Sequence, residues 1–394
     1  MSVTHMLEVS AKNLRTRARI SAHAVFDILA RPCRDTVDPT PWHAPAITPD
    51  WLTEHVGRDR GVRALGVEVT GGDNGSSVRR SLTVDWSRPA VTGDLPRHLF
   101  VKVTPTALTR ISSGMAARAE GFALTAIRPD LAIEAPVCLY SSRDSISGRS
   151  IHLFEDLRAH GVTFCNHTTV IDRARADGIV DLLAELHGTY LSPRVDREQV
   201  DALPLPRYEQ FFDVGKAGGT DAGHEAAITQ AAHLVPDRLL KRRDEIWPAA
   251  ERARDAHAAA PRTVIHSDVH LGNWYITPDG RMGLADWACA CKGLWARDVA
   301  YAVTTALAID DRRRWEMAML DRYLRCLRDR FGVTVEVDEA LRAYRQQMFA
   351  ALVMWTPTLC PAPGFPDMQP EATSLEMIHR ICTAIDDHQA LDAI

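Results

Sequence analysis

Apolar and polar positions alternate along the chain from Val62 onward. Val62-Arg-Ala-Leu-Gly-Val-Glu-Val69 and Val78-Arg-Arg-Ser-Leu-Thr-Val-Asp-Trp86 have the period of two that predicts strands, with Gly71-Gly-Asp-Asn-Gly-Ser-Ser77 as the turn between them. Leu99-Phe-Val-Lys102-Val103 predicts a third strand whose apolar run carries one cation, and a helix from about Ser113 to Ile127 follows it, containing Glu120. Pro136 to Tyr140 and Ser150 to Glu155 complete a five-stranded antiparallel sheet with one inserted helix. Ahead of the sheet, a helix over about Ala11 to Ala30 leads into a connector that Pro39, Pro41, Pro45 and Pro49 keep non-helical. Thr48 is placed as the N-cap of a short helix with Pro49 at its first position.

After Asp156-Leu157 the period changes to that of helices. Gly178 to His187 is amphipathic, as are stretches near 225–258, 297–307, 312–330, 338–354 and 373–388. One β element interrupts them, a hairpin from Trp274 to Ala285 turning at Pro278-Asp279-Gly280. Thr356 to Pro366 reads as a proline-rich surface loop. These elements predict an α+β fold in two lobes, a small antiparallel sheet with one helix and a larger mainly α-helical part. The boundary falls at residues 157/158, with residues 1–60 as a helical and proline-rich extension of the first lobe.

Composition narrows the possibilities without choosing among enzymes. The 394 residues suffice for two lobes, and 46% hydrophobic with 25% charged residues is ordinary for a globular protein. A formal charge of −5 argues against a nucleic-acid partner. There is no apolar run of eighteen residues and no charged-then-apolar start, so no membrane partner is expected and a cytoplasmic location is. The eight cysteines are scattered, and Cys289-x-Cys291 lacks a second pair, so reduced thiols are expected rather than a metal site.

Chemistry concentrates in His266-Ser-Asp268-Val-His-Leu-Gly-Asn273 and Leu284-Ala-Asp286-Trp287. The intervening hairpin returns Asp286 to the side of Asp268 and Asn273. Phosphoryl transfer from a nucleotide uses such a set: one carboxylate takes the proton of the attacking hydroxyl, while an amide oxygen and a second carboxylate hold Mg²⁺ against the phosphates. Lys102 fits a phosphate-facing cation held by a carboxylate on the next helix, Glu120, with Glu134 as the other candidate. Ser76 and Ser77 lie where a loop between the first two strands approaches phosphate. His266 is read as a brace for the loop, Asp298 as the N-cap of the following helix and an anchor for the loop's backbone, and Trp274, Trp287 and Trp295 as core.

Leu99-Phe-Val-Lys102, Glu120, Leu153-Phe-Glu-Asp-Leu157, Leu183-Ala-Glu-Leu-His187, His266 to Trp274, Leu284-Ala-Asp286-Trp and Arg297-Asp-Val-Ala-Tyr301 together resemble the aminoglycoside phosphotransferase and choline-kinase-like superfamily. The resemblance spans about residues 60 to 305 and implies a protein-kinase-like bilobal fold. It implies Asp268 as catalytic base, Asn273 and Asp286 as magnesium ligands, and Lys102 with Glu120 on the phosphates of ATP, with GTP as an alternative. It places the backbone of about Glu155 to Leu157 against the nucleotide base. Ser267 stands where the family usually has glycine. The expected activity is ATP-dependent phosphorylation of a hydroxyl on a small-molecule acceptor, one candidate being an antibiotic of aminoglycoside, macrolide or nucleoside type that the modification inactivates as a resistance mechanism. The alternatives are a metabolic kinase for choline-like, sugar or hydroxyacyl substrates, and a nucleotide-binding pseudokinase. Sequence sets no oligomeric state.

Overall fold

The computed structural model describes residues 3–30, 40–74, 77–87, 95–112, 114–361 and 368–394. The chain divides into two compact units: Met1–Pro129 with Pro136–His160, and Asp130–Ala135 with Gly161–Ile394.

The first unit is built on five antiparallel strands, β1 (Ala64–Asn74), β2 (Val78–Trp86), β3 (His98–Val103), β4 (Cys138–Arg143) and β5 (Ser150–Glu155), in the order β1-β2-β3-β5-β4. Alternation sorts the sheet into two faces. Leu82, Val84, Leu99, Val101, Val103, Ile151 and Leu153 form one buried apolar cluster, so Lys102 and His152, directly opposite each other on β3 and β5, belong to the other face. The helix expected after β3 runs as Gly114–Phe122 followed by a π-helical turn Ala123–Ile127, with Ala107–Ser112 also helical ahead of it. Thr48 caps its short helix by accepting the Trp51 N–H at 3.2 Å, with Pro49 at the start as expected.

The turn expected at Gly71–Ser77 is shorter than the sequence implied, because Gly71 to Asn74 belong to β1. Arginines of the facing strand hold them there. Arg79 Nε donates to Asp73 Oδ1 at 2.7 Å, and Arg80 donates to Asn74 Oδ1 at 2.8 Å.

The second unit is mainly helical. Its largest helices are Arg173–Leu191, Ile309–Phe331, Val337–Leu359 and Glu371–Asp387. Val337–Leu359 carries an apolar stripe of Tyr344, Met348, Phe349, Leu352 and Trp355 into the core, packed by the helices Ala296–Ala306, Ile246–Ala259, Thr220–Gln230 and Glu371–Asp387. The loop expected from Thr356 is helical as far as Leu359, with Pro357 inside the helix. Pro357 has no N–H to offer the Val353 carbonyl one turn back, and the neighbouring hydroxyls bond within the helix, Thr356 to Leu352 O at 3.1 Å and Thr358 to Trp355 O at 2.7 Å. Phe365, Pro366 and Asp367, the rest of that segment, lie outside the described residues.

Short strands frame the remaining irregular part. β6 (Thr163–Phe164) pairs with β8 (Trp274–Ile276), which pairs with β9 (Met282–Leu284), while β7 (Thr263–Ile265) pairs with β10 (Cys291–Gly293). The β8–β9 hairpin turns as expected, with Gly280 at φ 88°, a left-handed value at which a side chain is strained. Glu134 belongs to this unit, its carbonyl accepting the Leu284 N–H at 3.0 Å. Among the described residues no helix is long and apolar enough to cross a membrane.

Candidate active site

β7 ends at Ile265 and delivers the chain into a loop held almost wholly by buried groups. Asp298, fully buried, accepts the His266 N–H at 2.7 Å and the Ser267 N–H at 2.9 Å, one on each oxygen. His187 Nε2 lies 3.3 Å from the same carboxylate, and its Nδ1 is 2.8 Å from the Tyr323 hydroxyl. Burial opposes ionisation of Asp298, but the His187 contact and the neighbouring charges outweigh it and hold the carboxyl below the usual range. Asp298 anchors the loop as expected but is not an N-cap. It sits in the first turn of Ala296–Ala306, where Trp295 occupies the cap position.

His266 is a brace. Its Nε2 is 3.0 Å from the Ala285 carbonyl and its Nδ1 accepts the Asp268 N–H at 3.3 Å, and burial depresses its basicity. Ser267 has φ 67°, a left-handed conformation that favours glycine. The buried Arg297 holds it, donating from Nε to Ser267 Oγ at 3.0 Å and from Nη2 to Ser267 O at 2.8 Å. The Arg297 guanidinium lies 4.4 Å from the centre of the Tyr208 ring.

Asp268 leaves this loop with both carboxylate oxygens engaged. Oδ1 accepts from the Tyr301 hydroxyl at 3.2 Å and Oδ2 from Asn273 Nδ2 at 3.1 Å, while His270 Nε2 stands 3.8 Å from Oδ1. Burial first, and the Asp268 charge second, push the Tyr301 phenol well above its usual range, so it stays a donor. The hairpin then joins the pieces: Ala285 N–H donates to the Asn273 carbonyl at 2.8 Å, and Asp286 follows at φ 59°, ψ 71°. Burial, reinforced by the charges of Asp268 and Asp286, raises the Cys289 thiol well above the usual range, and the Cys291 thiol is pushed up to about 12. Asp268, Asn273 and Asp286 are therefore drawn together within one unit. No group of three His, Cys, Asp or Glu among the described residues is arranged to hold a metal ion. Mg²⁺ does not require one, since it binds through one or two carboxylates plus phosphate oxygens and water. Asn273 Nδ2 is spent on the Asp268 carbonyl (2.7 Å) and carboxylate, which turns the amide oxygen away from them. The Asn273 amide oxygen and the Asp286 carboxylate are hard oxygen donors of the kind a divalent cation such as Mg²⁺ takes alongside phosphate and water.

In the first unit, Lys102 Nζ donates to Glu120 Oε1 at 2.8 Å in a largely buried pair. The other candidate, Glu134, instead meets the Tyr275 hydroxyl at 3.0 Å and Arg281 at 2.8 Å. Ser77 is buried ahead of β2, and Ser76 lies outside the described residues. Glu155 ends β5 opposite Leu99, its carboxylate 2.6 Å from His160 Nε2, and Leu157 opens a turn Leu157–His160. Between them the Asp156 carboxylate accepts from Ser81 Oγ at 2.7 Å and Arg158 N at 3.0 Å. Sequence spacing gave Tyr301 and Arg297 no role at the loop. Their separation of four residues on one helix, which puts both on one face, was the available signal.

The phosphotransferase enzyme family model matches residues 89–334, more than half of the chain. The chain belongs to the phosphotransferase enzyme family. This phosphotransferase is an enzyme that transfers phosphate to a hydroxyl acceptor, with the α+β architecture expected from sequence, an antiparallel sheet in one unit and a mainly helical second unit. No curated protein matches it. Among solved structures it is similar to choline kinase from Streptococcus pneumoniae, at 14% identity over 82% of this chain and 94% of that one, TM-score 0.44. It is similar also to the aminoglycoside phosphotransferase APH(3'')-Id from Streptomyces rimosus (15% identity, 77% and 97% covered, TM-score 0.41). A third is the ethanolamine kinase of Plasmodium vivax (9% identity, 87% and 88% covered, TM-score 0.46).

Proposed function

We propose that this phosphotransferase moves the γ-phosphate of ATP onto a hydroxyl of a small molecule, with Asp268 taking the hydroxyl proton. The supporting observation is the Asp268 carboxylate itself: it is fixed from two sides by Tyr301 and Asn273 on a loop that Asp298 and Arg297 clamp. Such fixing aligns a base with an incoming oxygen and removes the entropy of searching for it. Asn273 and Asp286 are the residues that would hold magnesium, which when bound neutralises charge on the transferring phosphate. Lys102, kept in place by Glu120, would meet the nucleotide phosphates, Ser76 and Ser77 would approach them from the β1–β2 loop, and the Glu155 to Leu157 backbone would face the base. GTP in place of ATP is decided at that backbone.

The acceptor is read from the acids of the second unit. A polycationic sugar needs several carboxylates converging beside Asp268. Instead, Asp213 is paired with Arg254 at 2.8 Å, Asp386 with Arg238 at 2.8 Å, and Glu371 accepts from Gln230 at 2.9 Å. Besides Asn273, the side chains linked to Asp268 are His270 and Tyr301, and Trp355 meets the His270 ring edge-on, with centroids 5.1 Å apart. This favours a hydroxylated acceptor with little positive charge and an apolar part, an uncharged antibiotic among them. Mass spectrometry of hydroxylated compounds incubated with ATP and magnesium tests it: phosphate should appear on a weakly charged acceptor and vanish with Asp268→Ala. No phosphorylated compound, with ATP turnover the same in both proteins, would leave the pseudokinase reading. Growth protection against a drug panel separates resistance from metabolism.

A further inference from the structure

Lys102 and Glu120 do not form an isolated pair. His152 stands directly across from Lys102 in the β3–β5 ladder, is 2% exposed, and its Nε2 lies 3.6 Å from Glu120 Oε2. The lysine uses the other oxygen, Oε1. His152 Nδ1 is 3.0 Å from Ser141 Oγ, and Ser141 is its cross-strand partner on β4. When the hydroxyl donates to Nδ1, the neutral imidazole carries its proton on Nε2, aimed at the carboxylate. The backbone leaves room for this arrangement. Gly121, next to Glu120 near the end of its helix, would with a Cβ stand 3.3 Å from Ser141 Oγ and 3.6 Å from His152 Cε1. Glycine in a helix is otherwise unfavourable, so a space kept clear there fits a packed His–Ser pair.

Resting on the kinase reading above, we propose that His152 is a positioning residue for nucleotide binding, a second donor to Glu120. A buried carboxylate that loses part of its interaction with a cation is costly. As Lys102 turns toward phosphate, Glu120 gives up some of that interaction. A contact of 3.6 Å is too long for a hydrogen bond, and a small rotation of the carboxylate closes it. His152 thereby lowers the cost of lending Lys102 to the nucleotide, and Ser141 keeps the imidazole in the tautomer that does so.

Calorimetric titration of the full chain with ATP and magnesium tests this without knowledge of the acceptor. His152→Ala should weaken ATP binding about five-fold, the scale of coupling between residues in contact. In a Glu120→Ala background the same change should have little further effect. His152→Gln, which keeps a donor, should stay within about two-fold of wild type. Ser141→Ala, which leaves the imidazole in place, should show part of the loss and serves if His152→Ala does not fold. Wild-type affinity in His152→Ala, or in Ser141→Ala if that is the variant that folds, overturns the inference and leaves the kinase reading intact. So does a loss that persists fully in the Glu120→Ala background. A wild-type chain that binds no ATP overturns both.

Discussion

Ser267 joins two opposing contributions that can be separated by two substitutions. Its φ of 67° strains any residue with a Cβ by about 1 kcal/mol relative to glycine. Its hydroxyl accepts from Arg297 Nε at 3.0 Å, and removing that acceptor leaves a buried guanidinium N–H unsatisfied, at a cost of about 1–3 kcal/mol. Arg297 Nη1 has no hydrogen-bond partner among the described residues, which leaves Arg297 little means of compensating. Ser267→Ala loses the hydrogen bond and keeps the strain, so the full 1–3 kcal/mol should appear (about 2 at the centre). Ser267→Gly loses the bond and relieves the strain, so about 1 kcal/mol should remain. Urea unfolding monitored by tryptophan fluorescence reads both values, and the alanine variant should be the less stable by about 1 kcal/mol. Equal stability of the two variants would refute the strain. A glycine variant clearly more stable than wild type would refute the claim that the Arg297 bond outweighs it.

Asp268→Asn should keep ATP affinity within a few-fold while lowering phosphate transfer by about 10²–10⁴, checked by single-turnover transfer once an acceptor is known. Tyr301→Phe removes one of the two hydrogen bonds that fix the Asp268 carboxylate, so single-turnover transfer should slow by about five- to ten-fold with ATP affinity unchanged, and an unchanged rate would make the hydroxyl incidental. Burial lowers His224 to about 4 and His257 to about 3. The unfolded chain protonates these imidazoles near pH 6.5, so stability present above that value should be lost as pH falls toward 4, at up to about 1.4 kcal/mol per pH unit for each. Urea midpoints between pH 7.5 and 5 measure this, and His224→Gln should flatten the slope. Asp298 acts in the same direction at lower pH: its depressed carboxyl stabilises above the unfolded value of about 4, and that stability is lost as pH falls below it. Asp298→Asn should weaken that additional acid sensitivity and unsettle the loop at neutral pH.

The candidate site was unusually legible because its residues are close in sequence and joined by one hairpin. The Pro278-Asp279-Gly280 turn returns the chain, so the nearness of Asp286 to Asn273 follows from local geometry alone. Lys102 was visible as a cation inside an apolar strand, and Glu120 on the next helix was its favoured partner, with Glu134 left as a second candidate by sequence. Packing decided for Glu120, and Tyr275 and Arg281 took Glu134. The helix runs through Thr356 to Leu359 where proline composition suggested a loop, because the buried Trp355 and Thr356 pack into the core and carry the helix past Pro357. The strand through Gly71 to Asn74 was hidden for a similar reason: its holding arginines lie on the next strand.

What the amino-acid order determined by itself was the element periods, the hairpin and the three oxygen donors it gathers, because each depends on contacts within a few residues or across one tight turn. Only the tertiary structure decided which charges meet at a distance. Asp298 under the loop backbone, Arg297 beneath Ser267, Tyr301 on Asp268 and His152 beside Glu120 are burial-dependent pairings. A buried polar group must find a partner wherever the packed chain offers one, and no one-dimensional pattern carries that information.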